Sequence, residues 1–310
     1  MFTIFGSGFG LYGYLPAIIY GLKESVCLPE VYLDTIRNRS DLRELEDKII
    51  WVEDEATAIS LANKVVISVN PSAQIKVVQK CLDLSFSGCF FLEKPLAHSP
   101  KEAKSLLHLL DKHEVDYFIG YSFLYLEGLQ NILKNRALEN TIQIEWKFMA
   151  YHFSNDLNNW KRCTSEGGGV LRFYGIHIVA LLTALGYSQV VNSKLVGDKP
   201  GEPSLWEAEF SHSEAENCRI IVDSRSEDTC FIVKSGSEVV LTLADPFDLN
   251  DLPVLGVDRR FSSLVHFLRD VKGLTSKFFL YRSINQMWSL IEKNTISSLF
   301  IRLSNQGQES

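Results

Sequence analysis

The run Phe2-Thr3-Ile4-Phe5-Gly6-Ser7-Gly8-Phe9-Gly10-Leu11-Tyr12-Gly13 decides the architecture. Residues 2–5 read as a strand. Glycines follow at alternate positions, and residues 11–22 carry apolar side chains at helical spacing. A strand that enters a helix through glycines lets a phosphate approach bare backbone, and the helix N terminus favours its negative charge. The strict G-x-G-x-x-G spacing fails, because Leu11 stands where the third glycine is expected. Taken alone, the turn also reads as a generic glycine connection.

Outward from this turn, strands and helices alternate. Val31-Tyr32-Leu33-Asp34, residues 49–52, residues 64–69, Cys89-Phe90-Phe91-Leu92 and residues 117–120 read as strands. The β-branched and aromatic runs are those of strands buried on both faces. Helices are expected over 41–48, over 75–83 and from Ser99 to about Lys112. The last is marked by Pro100 in its first turn and by Glu102 at capping-box spacing from Ser99. Such alternation implies an α/β fold with a doubly wound parallel sheet over residues 1–120.

From residue 121 the pattern changes. Residues 141–153 form a long extended run, followed by a polar loop with Trp160, the glycines Gly167-Gly168-Gly169 and a helix over about 170–185. Short β-type segments then recur between Gln189 and Leu243, separated by turn residues. Closing helices are expected over 262–272 and 282–293, and a frayed polar tail over 304–310. Residues 121–310 thus read as a second, α+β domain with a largely antiparallel open sheet.

Composition excludes several classes. With 310 residues, 46% hydrophobic and 22% charged, the chain reads as an ordinary globular protein. A net charge of -7 argues against nucleic acid as the main partner. No apolar run approaches the roughly 20 residues of a membrane span, and Met1-Phe2-Thr3-Ile4-Phe5 runs into the glycine turn without a secretory leader. The six cysteines form no C-x-x-C pair and read as reduced thiols, with no metal site. A cytoplasmic location is the expectation.

Candidate chemistry gathers where these strands end. Gly6, Gly8, Phe9 and Gly10 form the expected pyrophosphate turn. Asp34, at the end of the presumed second strand, is placed to bind an adenosine ribose. Arg37 and Arg39 follow, and arginine there suits a 2′-phosphate, so NADP is favoured slightly over NAD; a solvated turn is the competing reading. Asn70-Pro71 and Glu93-Lys94-Pro95 end successive strands and should line one crevice. A partly desolvated Lys94 has a lowered pKa and can exchange a proton with a substrate hydroxyl. His177, on an apolar helix, reads either as core or as a partner of Lys94. Tyr121, Trp160 and Tyr174 are the aromatic candidates for contact with substrate, with core packing the favoured alternative for Tyr121 and Trp160.

Together these pieces resemble the glucose–fructose oxidoreductase/inositol dehydrogenase (Gfo/Idh/MocA) family. The resemblance is carried by Gly6 to Ala17, Ser68 to Gln74, Phe91 to Ala97, and Trp160 to His177, and spans nearly the whole chain. It implies a Rossmann domain followed by a domain whose open sheet mediates oligomerisation, with a homodimer or homotetramer expected. It also implies NAD(P)-dependent oxidation or reduction at a carbon of a sugar, sugar nucleotide or cyclitol, with Lys94 and His177 as proton-transfer groups. The family's aspartates four residues before and three after the histidine are Phe173 and Ala180 here. Its histidines in the opening motif and after the N-P turn are Tyr14 and Gln74. A non-catalytic nucleotide-sensing or partner-binding relative is the second reading, favoured by Phe173. A methyltransferase explains neither Glu93-Lys94-Pro95 nor the second domain.

Overall fold

The computed structural model describes residues 1–136, 140–249, 257–270 and 274–299. The expected polar tail over 304–310 lies outside them.

Six strands form a wholly parallel sheet: β1 (Phe2–Phe5), β2 (Val26–Pro29), β3 (Ile49–Val52), β4 (Lys64–Ile67), β5 (Cys89–Leu92) and β6 (Tyr117–Ile119). Their spatial order is β3-β2-β1-β4-β5-β6. The chain runs outward from β1 to β3, then returns to place β4 on the other side of β1. This reversal leaves a crevice at the carboxyl ends of β1 and β4, where ligands of open α/β sheets bind. The central strands are apolar on both faces: Phe2, Ile4, Val65, Val66, Ile67, Phe90, Phe91 and Leu92 are each 0% exposed.

The helices are set by local signals. Ser99 Oγ accepts the Glu102 amide at 3.3 Å and caps the helix Pro100–Lys112. Asn70 Oδ1 accepts the Ala73 amide at 3.0 Å and opens the helix Pro71–Asp83. The helix after the glycine turn is wound largely as π-helix, over Gly10–Tyr14 and Ala17–Leu22.

The expected second strand at 31–34 is corrected. Val26-Cys27-Leu28-Pro29 forms β2, fully buried, whereas Glu30–Tyr32 and Leu33–Arg37 are helical. Pro29 lacks the amide needed to extend the ladder, and Val31, 72% exposed, belongs to no core.

The second sheet holds seven strands in the order β12-β11-β7-β10-β9-β8-β13. These are β7 (Ile142–Met149), β8 (Gln189–Gly197), β9 (Leu205–Ser211), β10 (Cys218–Asp223), β11 (Arg225–Ser235), β12 (Glu238–Leu243) and β13 (Thr295–Leu299). Most neighbours are antiparallel, as expected, but β10 pairs with β7, and β13 with β8, in parallel. The closing helices run Phe261–Arg269 and Leu274–Asn294. Leu264, Val265, Phe267 and Leu268 of the first pack with Phe2, Ile4, Leu11 and Tyr14 of the N-terminal layer. A segment late in the sequence is thereby built against the opening glycine motif. Among the described residues, no helix is long and apolar enough to cross a membrane.

Candidate active site

The three glycines of the turn do different jobs. Gly6 has φ +124°, and a Cβ there would lie 2.1 Å from the Ser68 carbonyl oxygen, so the turn cannot carry a side chain at that point. Gly10 faces the strand: its Cβ would sit 2.9 Å from Ile4 Cγ2. Gly8 has nothing within 4 Å and faces open space. Tight turn, open face and close helix–strand packing are the three roles of a dinucleotide-binding turn. The packing role falls on Gly10, which frees Leu11 to be a buried apolar residue. The turn therefore fits a pyrophosphate.

The ribose-side candidates move with the corrected strand. Asp34 lies exposed on the short helix Leu33–Arg37 rather than at a strand end. Arg37 pairs with Glu46 at 2.7 Å, and Arg39 with Asp41 at 2.6 Å. The Gly6 amide donates to the Tyr32 hydroxyl at 3.0 Å, so the residue that reaches the turn from beyond β2 is a tyrosine.

Glu93-Lys94-Pro95 leaves the end of β5 with a cis Lys94–Pro95 peptide bond. Gln74, 1% exposed, holds this loop from the neighbouring helix. Its side-chain amide donates to the carbonyls of Glu93 (3.0 Å) and Leu96 (2.7 Å), and its carbonyl accepts the Glu93 amide at 3.2 Å. The Tyr14 hydroxyl donates to the Glu93 carboxylate. Burial raises the Glu93 pKa, while the charge of Lys94 and the bond from Tyr14 oppose the rise. Burial pulls Lys94 down to about 7, against the charge of Glu93. Lys94 is nevertheless only partly covered, so it can meet a ligand.

Lys94 Nζ donates to the Phe173 carbonyl at 2.8 Å and lies 4.1 Å from the centre of the Phe173 ring. Phe173 belongs to a π-helical segment, Val170–Gly175, that leads directly into the helix Ile176–Ala184. His177, 4% exposed, stacks on Phe123 at 5.3 Å, and its buried Nδ1 has no hydrogen-bond partner among the described residues. Burial holds His177 well below its usual pKa, helped by the charges of Lys94 and Arg260, so its imidazole is neutral. Lys94 and His177 thus belong to one electrostatic neighbourhood despite their separation in sequence.

The aromatic candidates divide. Trp160 meets the Phe173 ring edge-on at 5.3 Å, and Tyr174 meets Phe173 at 4.8 Å and Phe148 at 4.7 Å; both remain partly exposed. Tyr121 is corrected: it is 2% exposed and packed near Tyr281, which leaves no open face for a substrate.

Two cations escaped sequence reasoning. Arg260, just before the helix Phe261–Arg269, lies 4.0 Å from the Phe9 ring centre and is held by Asp258 through two bonds of 2.7 and 2.8 Å. Its only sequence signal is an Asp-Arg-Arg run ahead of a helix, and nothing local ties that run to the glycine turn. Lys161 Nζ lies 5.4 Å from the Phe173 ring centre, on the ring that also receives Lys94. Its signal was adjacency to Trp160 within the loop that carries the family resemblance.

No family model matches this sequence, and no curated protein matches it. Solved structures do share its fold. KijD10, a 3-ketoreductase from Actinomadura kijaniata crystallised with NADP and TDP-benzene, superposes with a TM-score of 0.68 at 11% identity, over 96% of this chain and 98% of its own. GenD2 from gentamicin A biosynthesis, in complex with NAD, gives 0.69 at 14% identity, over 94% and 93%. The WlbA dehydrogenase from Chromobacterium violaceum, with NADH and UDP-GlcNAcA, gives 0.67 at 11% identity, over 95% and 94%. The two-sheet α/β architecture is therefore that of known oxidoreductases along almost its whole length.

Proposed function

We propose that this protein is an NAD(P)-dependent oxidoreductase acting at a carbon of a sugar, sugar nucleotide or cyclitol-like substrate. One observation carries the reading: at the carboxyl edge of a parallel sheet, a partly covered lysine whose pKa burial draws down to about 7 follows a glutamate bonded to Tyr14, on the helix that an open glycine turn begins. The ligands of KijD10, GenD2 and WlbA support the same cofactor class and a nucleotide-linked substrate.

Gly6, Gly8, Phe9 and Gly10 would hold the pyrophosphate, with Asn70, Pro71 and Glu93 lining the crevice beside it. The bound dinucleotide would supply or accept the hydride. Lys94 gives a proton to the forming hydroxyl in reduction and takes it in oxidation. The Phe173 carbonyl aims the ammonium, and Tyr14 acts on it through Glu93. His177, neutral and buried against Phe123, acts on Lys94 from within the core rather than by touching the substrate. Trp160 and Tyr174 flank the substrate side. A homodimer or homotetramer is part of the reading.

The non-catalytic alternative draws on one feature, the ring of Phe173 where a carboxylate is usual in the resembled family. Incubation of the protein and NADPH with a panel of keto-sugars and keto-sugar nucleotides separates the two. Loss of the near-ultraviolet NADPH band, abolished in Lys94→Ala, supports the enzyme. Binding without turnover across the panel, and indifference to Lys94→Ala, supports the sensor.

A further inference from the structure

The triple glycine has a structural purpose that bears on substrate charge. A Cβ at Gly168 would lie 2.0 Å from the Trp160 carbonyl oxygen and 2.5 Å from the Lys161 carbonyl carbon. The Gly169 amide donates to the Lys161 carbonyl at 2.8 Å. Only bare backbone lets the Trp160-Lys161 segment lie directly on the start of the helical segment that carries Phe173. The glycines thus hold the Lys161 backbone against this segment, with its ammonium 5.4 Å from the centre of the ring that Lys94 also approaches.

The charges around that ring do not balance locally. Arg260 is paired with Asp258, and Arg162 with Asp156 and Glu202. Glu93 accepts from Tyr14 and lies beside Lys94. His152 is buried, with its pKa lowered to about 4, and is therefore neutral. Among the described residues, no carboxylate lies within ion-pair distance of Lys161 Nζ. Burial lowers its pKa and Arg260 lowers it further, with no acidic group opposing them. Holding a half-buried ammonium beside other cations is unfavourable unless something negative joins it.

We infer that Lys161 receives a carboxylate carried on the reacting ring of the substrate, so that the substrates are sugar acids of the uronate type. The inference rests on the proposed oxidoreductase reading, which makes Lys94 the group that faces the reacting carbon. The two ammoniums approach one phenyl ring, at 4.1 and 5.4 Å from its centre, a separation that one sugar and its substituents can span. The diphosphate of a nucleotide-linked sugar is the other source of negative charge.

The test is calorimetric titration of the full chain with matched probes: UDP-glucuronate against UDP-glucose, and free glucuronate against glucose, each with and without NADPH. The acidic member of the first pair is expected to bind about tenfold tighter, the ratio given by ~1.4 kcal/mol. Lys161→Met abolishes this preference, Lys161→Arg keeps most of it, and NADPH affinity is the same in all three proteins. Phe173→Asp, which replaces the ring that both lysines approach with a carboxylate, abolishes the preference independently of any folding defect in Lys161→Met. Equal affinity for acid and neutral probes, or an acid preference untouched by both variants, overturns the inference. So does a Lys161→Met loss of affinity equal for UDP-glucose and UDP-glucuronate, which assigns the lysine to the diphosphate. Failure of wild-type protein to bind NADPH strikes the oxidoreductase reading instead, and the probe titrations without cofactor still decide the role of Lys161.

Discussion

Lys94 Nζ and Phe173 touch twice, by a 2.8 Å hydrogen bond to the carbonyl and by a 4.1 Å approach to the ring. Phe173, an apolar residue, holds the lysine through its backbone and its π face. Both contacts favour the ammonium without supplying a full negative charge, and burial, against the charge of Glu93, still draws the lysine down to about 7.

That pKa sets a direction for the pH profile. Lys94 is protonated below about 7 and neutral above it. Ketone reduction needs the ammonium as acid, so kcat/KM for reduction is expected to be high on the acid side and to fall as pH rises through 7. Oxidation, which needs the free amine, rises over the same range. Lys94→Ala removes the step and lowers kcat by about 10²–10⁴-fold, with NADPH affinity retained. Steady-state rates from pH 5.5 to 9, alongside fluorescence titration with NADPH, check both parts.

Tyr14→Phe should shift that profile downward. Without the hydroxyl, Glu93 loses a bond to its charged form and protonates more readily. A less negative Glu93 then supports the Lys94 ammonium less, since its charge is what holds the lysine up. The reduction limb moves to lower pH in the variant; an unmoved limb would detach Tyr14 from the proton-transfer group.

The glycine turn predicts opposite outcomes two residues apart. Gly8→Ala leaves thermal stability unchanged, because its Cβ enters open space, but weakens NADPH binding. Gly6→Ala strains a backbone at φ +124° and meets the Ser68 carbonyl, costing about 1–3 kcal/mol or more. Differential scanning calorimetry paired with NADPH titration distinguishes the two.

Gln74→Ala is expected to loosen the Glu93-Lys94-Pro95 loop. It removes both donors and the acceptor that hold Glu93 and Leu96, at a cost of about 1–3 kcal/mol for the buried groups left unpaired. Both Tm and kcat should fall. A normal kcat with a lowered Tm would show that the clamp serves stability alone.

Arg37 and Arg39 bear on the choice of dinucleotide. Their present partners, Glu46 and Asp41, form ion pairs near the surface, which are weak and exchangeable. Joint replacement by alanine is expected to reduce NADPH affinity while sparing NADH. Equal losses for both dinucleotides, or none, would remove these arginines from 2′-phosphate recognition.

Local chemistry along the chain already determined much of this protein. Apolar runs marked β1, β4, β5 and β6, because strands buried on both faces are largely apolar, while β3, at the sheet edge with Ile50 exposed, showed only as a short apolar run. Ser99 announced its helix because a cap is a contact over three residues, whereas the capping of Pro71–Asp83 by Asn70 emerged only from the structure. Glu93-Lys94-Pro95 and the glycine turn could be placed at the same sheet edge from strand direction alone. The second strand was missed because Val31-Tyr32-Leu33 resembles β2 in composition, and only packing shows that Val26–Pro29 is the buried run. Three relationships were decided by the tertiary structure. The return of the segment before Phe261 brings Arg260 to Phe9, the close approach at Gly168 brings Lys161 to Phe173, and Gln74 spans from its helix to the loop after β5. Each joins residues through a long loop closure or a backbone contact, and such pairings leave no periodic trace in the order of amino acids.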